Sequence, residues 1–403
     1  MLRSSRPSTG GYLLVAQGAV LSRKSLPTTA SAGQRIAPGY DAATAPPGAM
    51  VLVSDERPGS YSGFRREYRK GEFLAGWADA STGGRSGPLR HRYEAPHTRT
   101  ALIGPTRAGL SNLAIDSGRA GAARFTYGSG NRIDRVTVVC SAEHGIYLDR
   151  CTGVDVQNTE ILNGGSGGSS DYGLAIGNSE GVTVTGCRLF GRRHGLSIGG
   201  GNFPDSIPSQ NTRIQGCKLS NDPHSGVTAA DMHGNSIDAH FRTCTITGGA
   251  SLGGWSASFV DCDISSMTNG VCFYASEIAG GTFVIEDCRL TSSADPSKGY
   301  RGIIDLGGNS APIAASTSGA VELQVIDTSI SARRLSTASR IVEAQNRGSR
   351  FPIDLTVRNL DLSVNALGSV VSLKNRAGSG WTGRVAVDGV RSLPAGASRV
   401  ASH

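Results

Sequence analysis

The stretch VTGCRL, residues 184–189, recurs in altered form as IQGCKL (214–219), FRTCTI (241–246), FVDCDI (259–264) and IEDCRL (285–290). In each copy an apolar residue is followed three places later by a cysteine, and two places further on by another apolar residue. The pattern occurs eleven times once Thr, Val and Leu are accepted at the middle position, although the last copy lacks the second apolar residue. The middle positions are Leu113, Val136, Thr159, Cys187, Cys217, Cys244, Cys262, Cys288, Thr328, Leu360 and Val390.

Successive copies are 18 to 40 residues apart, a spacing typical of solenoid repeats. Each copy is too short for a helix, and its flanks alternate as strands do. The repeat therefore predicts an all-β chain: a right-handed parallel β-helix of about eleven rungs with a small N-terminal attachment or capping region. One cysteine per coil predicts a buried internal ladder, because zinc ligands occur in pairs a few residues apart. We expect no metal and no cofactor.

Composition divides the chain into four regions. Residues 1–50 are rich in Ser, Thr, Ala, Gly and Pro and predict an extended arm that anchors the protein in an assembly. Residues 51–100 follow with a strand-like start and an Arg- and aromatic-rich stretch, and predict a small attachment or capping domain. The β-helix is expected over 101–395, followed by a frayed tail at 396–403.

Charge and hydropathy exclude several classes of function. The 403 residues carry a formal net charge of +8, but the chain has no RNA- or DNA-binding motif, so we expect no nucleic-acid partner. No stretch is long and apolar enough to predict membrane insertion. The most apolar N-terminal stretch contains Gln17 and Gly18 and is soon followed by Arg23, which fits a signal peptide poorly.

The segment DYGLAIGNSEGVTVTGCRLFGRRHGLSIGGG, residues 171–201, resembles the core of the polygalacturonase-like glycoside hydrolases, a pectin-degrading β-helix family. In that family an Asp-Asp pair opens an apolar strand, and a Gly-His-Gly-x-Ser-Ile-Gly motif closes the next coil. Asp171 matches the first acid, and His194 matches the histidine of the motif. The resemblance covers 31 of the 403 residues. It implies a sugar-facing groove in which Asp171 and His194 are catalytic.

The segment also departs from the family pattern. Tyr172 stands in place of the second acid, and we assign it to substrate binding. His144 stands where the family has a further acid one rung earlier. An inverting glycosidase needs a second carboxylate to activate water, which here would be Glu143 or Asp149. The later Arg-Ile-Lys of the family has no counterpart in this chain.

A polar stretch at 220–235 offers a second candidate site. Asp231 and His233 lie close together there, and a carboxylate beside an imidazole can perform acid–base chemistry. The alternatives to a catalytic role for this stretch are a polar surface loop, a sugar contact and a metal site.

Other residues are candidates for substrate binding. Arg192 and Arg193 could contact an acidic sugar. Trp255, Tyr274 and Phe203 could stack on sugar rings, or could instead cover the end of a rung.

The predicted rod also resembles the β-helices of phage tailspikes, within the pectate-lyase-like superfamily. That resemblance implies a virion protein, a tail fibre or tailspike, that forms a homotrimer and docks on other virion proteins through residues 1–100. It would contact bacterial surface polysaccharide, either as an adhesin or as a depolymerase acting as glycoside hydrolase or lyase. Two alternatives stay open: a free, secreted polysaccharide-degrading enzyme, and a purely structural virion component.

Overall fold

The computed structural model shows a rod of stacked strands with a small antiparallel sheet on its flank. It describes residues 2–3, 11–41, 43–62, 65–74, 86–165, 167–201, 205–293, 302–306, 319–346, 352–375 and 383–402. The first strands are β1 (Leu2–Arg3), β2 (Tyr12–Gln17), β3 (Ala19–Ser25), β4 (Met50–Asp55), β5 (Gly71–Phe73), β6 (Thr98–Gly104), β7 (Gly109–Gly118) and β8 (Gly121–Thr126). A single 3-10 turn is described, at Ala95–His97.

The remaining strands all belong to the rod. Those in its first half are β9 (Arg132–Cys140), β10 (His144–Asp149), β11 (Asp155–Gln157), β12 (Glu160–Asn163), β13 (Tyr172–Gly177), β14 (Thr183–Thr185), β15 (Arg188–Gly191), β16 (His194–Gly199), β17 (Ser209–Gln215), β18 (Lys218–Asn221), β19 (Ala230–Met232), β20 (Ser236–Arg242) and β21 (Thr245–Thr247). Those in its second half are β22 (Ala250–Val260), β23 (Asp263–Ser265), β24 (Phe273–Glu286), β25 (Arg289–Ser292), β26 (Gly302–Leu306), β27 (Val321–Ile326), β28 (Ser329–Ala332), β29 (Arg340–Asn346), β30 (Ile353–Arg358), β31 (Asp361–Val364), β32 (Ser369–Asn375), β33 (Val385–Asp388) and β34 (Ser398–Ser402).

Every strand of the rod pairs in parallel with its equivalents one rung away, which makes three faces. Face A consists of β2, β8, β10, β13, β16, β19, the first parts of β22 and β24, β26, β29, β32 and β34. Face B consists of the first parts of β7 and β9, β11, β14, β17, β20, the last parts of β22 and β24, β27, β30 and β33. Face C consists of β1, the last parts of β7 and β9, β12, β15, β18, β21, β23, β25, β28 and β31.

The repeat motif forms the corner between face B and face C. The residue before each middle position has a φ angle between 48° and 62°, in the left-handed region. One such residue between two extended segments turns the chain from one face to the next. Most of these residues are Asn, Asp or Gly, which tolerate this conformation best. They are Asn112, Arg135, Asn158, Gly186, Gly216, Thr243, Asp261, Asp287, Asp327, Asn359 and Gly389.

The five repeat cysteines form the predicted internal ladder, and all eight cysteines of the chain are buried and free. At the corner each ladder thiol donates to the carbonyl oxygen two residues earlier, for example from Cys217 to Gln215 at 3.3 Å. Thr159 and Thr328 make the same bond, each at 2.8 Å. Cysteine and threonine can therefore replace each other at this position, because both have a short side chain that donates a hydrogen bond to the buried carbonyl of the corner.

The described residues among the first 50 are part of the fold, which differs from the predicted arm. β2 adds a strand to face A through parallel pairing with β8. β3 joins the antiparallel sheet β3-β6-β4-β5. The six-residue β2 is too short for its alternation to stand out in a sequence rich in small residues. The C-terminal tail likewise contains β34, which pairs with β32.

The antiparallel sheet packs against the rod instead of extending from its end. Leu52, Phe73 and Ile103 of the sheet form one apolar cluster with Ile207 of the rod. Asp205, beside that cluster, forms an ion pair of 2.5 Å with Arg23. Among the described residues, no helix has the length and hydrophobicity needed to span a lipid bilayer.

Candidate functional site

A cleft opens on the outer surface of face A, across β10, β13 and β16. Parallel pairing places residues of successive rungs side by side, so that Tyr147 is next to Ala175 and Ala175 is next to Ser197. Small residues form the floor, and aromatic and histidine side chains form the sides. The lining residues are His144, Tyr147, Ser170, Tyr172, Ala175, Ile176, Gly177, Ser197, Gly199, Gly200 and His233.

Two glycines on adjacent rungs keep the floor open. A Cβ atom on Gly177 would lie 2.9 Å from Oη of Tyr147, and one on Gly199 would lie 2.7 Å from Cβ of His233. Contacts this short would force the neighbouring side chain to move. The space between the two sides of the cleft therefore depends on the absence of side chains at these positions.

One side of the cleft is a continuous row of tyrosine and histidine rings. Oη of Tyr12, from β2, lies 2.5 Å from Nδ1 of His144. The His144 ring stacks on that of Tyr147, with the centroids 4.7 Å apart. The Tyr172 ring follows at 5.2 Å from His144 and at 5.0 Å from His194. Such a row offers flat apolar surfaces with polar edges, which suit the faces and hydroxyl groups of a sugar.

Burial changes the protonation of this row. It lowers the pKa of His144 to about 4, with a further contribution from Arg124. His144 is therefore neutral at neutral pH. Burial also raises the pKa of the Tyr172 phenol, which keeps its proton. The Arg193 guanidinium lies 6.0 Å from the centroid of the Tyr172 ring and places a positive charge at the edge of the cleft.

The opposite side is formed by His233, which is held by Asp231. Nε2 of His233 lies 3.0 Å from Oδ2 of Asp231, and Nε2 of His194 lies 3.6 Å from the same oxygen. Ser251 donates to the other carboxylate oxygen at 3.2 Å. Burial would raise the pKa of Asp231, but the two histidines and these hydrogen bonds bring it below its usual range. Asp231 is therefore a carboxylate.

The pKa values of the two histidines beside Asp231 shift in opposite directions. Burial lowers the pKa of His194, whose Nδ1 faces the carbonyl oxygen of Thr228 at 2.5 Å. A carbonyl only accepts, so Nδ1 of His194 carries the hydrogen. For His233, burial lowers the pKa, but the neighbouring Asp231 carboxylate has the larger opposite effect, so that the pKa of His233 is raised. Within the described residues, no three His, Cys, Asp or Glu side chains are placed to hold a metal ion.

The family model named Gp49, pectin lyase-like, matches residues 141–389, more than half of the chain. The chain belongs to this family. No curated protein sequence is significantly similar to it. The matched residues include most of the cleft, from His144 to His233.

Solved structures of phage tailspikes share the fold of this Gp49 family member. The tailspike protein gp49 from Pseudomonas phage LKA1 is 29% identical with a TM-score of 0.90, over 100% of this chain and 68% of that one. Tailspike gp61 of Pseudomonas phage phi297 is 20% identical with a TM-score of 0.82, over 96% and 65%. The Gp54 tailspike of Acinetobacter baumannii bacteriophage AP22, solved with a capsular saccharide, is 17% identical with a TM-score of 0.74, over 96% and 65%.

These comparisons confirm the predicted parallel β-helix and the predicted similarity to phage tailspikes. The chain spans about two thirds of the length of these tailspikes. At 20% and 17% identity, the last two show the fold alone.

The structure brings several of the predicted site residues together. Tyr172 of β13 lies beside His194 of β16 in the parallel register, and Ser197 of β16 lies beside Asp231 of β19. His233 follows β19 directly. The two candidate sites of the sequence, the histidine motif and the polar stretch at 220–235, therefore meet on one face.

The acids expected from the polygalacturonase resemblance lie elsewhere. Asp171 is 1% exposed, and its Oδ2 accepts a hydrogen bond of 2.8 Å from the backbone of Gly167. Glu143 has a φ angle of 55° and forms the corner before β10. Asp149 is fully buried, with Arg150 and other donors around its carboxylate. The structure thus buries Asp171 and Asp149, and neither is among the residues that line the cleft.

The other candidate contacts are spread along the rod. Trp255 packs against the apolar cluster of Tyr61, Tyr68, Ile237 and Ala279, where the N-terminal part meets the rod. Tyr274 lies two rungs beyond Asp231, on the same outward row. Arg192 is exposed, with Asp222 at 4.0 Å. Phe203 lies outside the described residues.

Sequence reasoning missed Tyr147 and Ser197 as lining residues of the cleft, and Tyr12 as the partner of His144. Tyr147 had a usable signal, because it is the outward residue of the HGIYL strand one rung before Ala175. Tyr12 had none, since its strand was not recognised. Gly121 is the structural reason that Tyr12 reaches His144: a Cβ atom there would lie 2.5 Å from Cε1 of Tyr12.

Proposed function

We propose that the chain is the β-helical part of a phage tailspike that binds a bacterial surface polysaccharide in the cleft on face A. The protein would then act at the virion, as a tail appendage. Assembly as a homotrimer and docking on other virion proteins through residues 1–100 are parts of the same proposal. These parts rest on the family and on the similarity to the LKA1 tailspike.

The cleft itself carries the proposal. It offers ring faces along one side, at Tyr147 and Tyr172, and a charged edge at His233 on the other. Its floor is kept clear by glycine at two adjacent rungs. Ligand sites combine apolar and aromatic surface with a few polar groups in this way. Cell-surface polysaccharide is the ligand class that the family and the aromatic lining favour together.

Cleavage of the bound polymer by β-elimination is a second candidate. Hydrolysis by two carboxylates needs two accessible carboxyl groups, whereas the described lining residues are mainly tyrosine, histidine and small residues. In β-elimination a base removes the proton beside a sugar carboxylate, the electron pair forms a carbon–carbon double bond, and the leaving sugar oxygen takes up a proton. Neutral His144 and the Tyr172 phenol are placed for these proton transfers.

The test is incubation of the purified protein with a panel of bacterial surface polysaccharides and with polygalacturonate. Binding would be measured by co-elution in size-exclusion chromatography, and cleavage by loss of polymer length. Ultraviolet absorbance of an unsaturated product would identify β-elimination, and reducing ends without that absorbance would identify hydrolysis. Asp231→Asn and His233→Gln should reduce cleavage, because they alter the charged edge of the cleft.

Asp171→Asn separates this site from the polygalacturonase-like alternative. If Asp171→Asn abolishes cleavage while Asp231→Asn does not, the chemistry lies at Asp171 and the proposed site is wrong. If the protein binds and cleaves no polymer, the tailspike proposal fails in favour of a structural virion component. Full cleavage by a protein that has no association with a virion would favour a free enzyme.

A further inference from the structure

Tyr68 reaches the cleft from the N-terminal part of the chain. It lies between β4 and β5, is 1% exposed and packs with Tyr61 against Ile237 of the rod. Its hydroxyl group is 2.5 Å from Oε2 of Glu277 and 3.4 Å from Nδ1 of His233. One phenol thus stands between a buried carboxylate and the histidine at the edge of the cleft.

The hydrogen of this phenol points to Glu277. The Glu277 carboxylate is surrounded by donors: Arg65 donates from Nε to Oε1 at 2.8 Å, and the backbone of Gly234 donates to Oε2 at 3.0 Å. A carboxylate only accepts hydrogen bonds. Tyr68 must therefore donate to Glu277, which leaves the lone pairs of its oxygen toward Nδ1 of His233.

Nε2 of His233 also faces an acceptor. It lies 3.0 Å from Oδ2 of Asp231. Ser251 donates to the other oxygen of that carboxylate, which fixes its orientation. His233 therefore has an acceptor at each ring nitrogen, and this arrangement favours a hydrogen on both.

We propose that Tyr68 is a positioning residue for saccharide binding. Because its hydroxyl group donates its hydrogen to Glu277, it presents an acceptor to Nδ1 of His233. It thereby holds His233 as a fixed imidazolium at the edge of the cleft. Besides the Tyr68 phenol, the charged and titratable groups that face His233 are Asp231, Glu277, Arg65 and, beyond Asp231, His194. The inference rests on the proposed function, because it concerns the same cleft.

One consequence is that Tyr68, which lies outside the rod, influences how saccharide binding depends on pH. The imidazolium persists to a higher pH than that of an unperturbed histidine, because Asp231 raises the pKa of His233. Binding should weaken as the pH rises through that pKa. In the absence of the Tyr68 hydroxyl, the loss should begin at a lower pH.

Tyr68→Phe tests the proposal, with Tyr61→Phe as the matched control. The Tyr61 hydroxyl lies in the same interface but donates to the carbonyl of Ser236 at 3.4 Å. The protonation of His233 would be followed by NMR of histidine-labelled full-length protein, with the signal assigned through His233→Gln. Thermal unfolding would show that both tyrosine variants are folded.

The expected result is a lower pKa of His233 in Tyr68→Phe and an unchanged one in Tyr61→Phe. Saccharide binding at neutral pH should weaken roughly three- to tenfold in Tyr68→Phe, as expected for one lost hydrogen bond. Glu277→Gln should also lower the pKa of His233, because it removes a facing negative charge and because an amide can donate and so reverse the phenol. If Tyr68→Phe fails to fold, an unchanged pKa of His233 in Glu277→Gln would overturn the proposal.

An unchanged pKa of His233 in a folded Tyr68→Phe protein would overturn the proposal. An equal fall in Tyr61→Phe would also overturn it, because the effect would then come from a loosened interface. The NMR titration needs no polysaccharide. A protein that binds no polymer but shows the shift would therefore refute the proposed function alone.

Discussion

Replacing His144 by phenylalanine should flatten the dependence of protein stability on pH in the acid range. His144 stacks on Tyr147 and hydrogen-bonds Tyr12, and burial lowers its pKa from 6.5 to about 4. The folded protein therefore binds this proton less tightly than the unfolded chain does. The stabilisation is fully present above pH 6.5 and is lost as the pH falls toward 4.

The magnitude follows from that difference in pKa. One unit corresponds to about 1.4 kcal/mol, so His144 accounts for about 3 kcal/mol of lost stability between neutral pH and pH 4. A phenylalanine keeps the ring in the stack but has no proton to gain. The variant should be somewhat less stable at neutral pH, because Tyr12 loses its partner, yet should lose less stability on acidification.

The assay is denaturant unfolding of both proteins at a series of pH values across this window. His224→Phe is the control, because His224 is exposed and is not among the residues that line the cleft. His91, whose pKa burial also lowers to about 4, contributes equally to all three proteins. If His144→Phe loses as much stability on acidification as the original protein, the assignment of a buried neutral His144 is refuted.

Two further predictions concern the corner between faces B and C, with denaturant unfolding as the measurement. Cys217→Thr should change the free energy of unfolding by less than about 1 kcal/mol, because threonine makes the same hydrogen bond at Thr159 and Thr328. Cys217→Asp, which buries a charge at the same position, is the disruptive comparison. A loss of stability in Cys217→Thr as large as that in Cys217→Asp would show that the thiol has another role. Gly216→Val should lower the free energy of unfolding by about 1–2 kcal/mol or more, because Gly216 has a φ angle of 62°, in the left-handed region. Gly216→Asn should lower it much less, because asparagine tolerates this conformation. Equal losses in the two variants would contradict the conformational reason.

The fold could be predicted because one motif marks every coil. The inward apolar residues and the ladder position recur at short range, so the sequence alone indicates stacking. The left-handed corner was missed, because its residues vary from Gly216 to Asn158, Thr243 and Arg135. Only the shared φ angle shows that these positions are equivalent.

The site could be predicted only in part. Asp231 and His233 were found because they are close in sequence, and His194 because of the resemblance. Tyr68 and Glu277 are separated by 209 positions, and no short-range pattern connects them. Asp171 was predicted as a catalytic residue because it matches a motif, but its burial depends on the tertiary packing of the loop before β13.

The most direct test of the account is whether filling the cleft abolishes polysaccharide binding. Ser197 lies on the floor between Ala175 and Asp231, and phenylalanine there would occupy the space between the two sides. Thr245→Phe, on the exposed surface of face C, adds a similar ring away from the cleft. Binding of a polymer recognised by the original protein should be lost in Ser197→Phe and retained in Thr245→Phe. Undiminished binding by a folded Ser197→Phe protein would contradict the assignment of the cleft as the polysaccharide site.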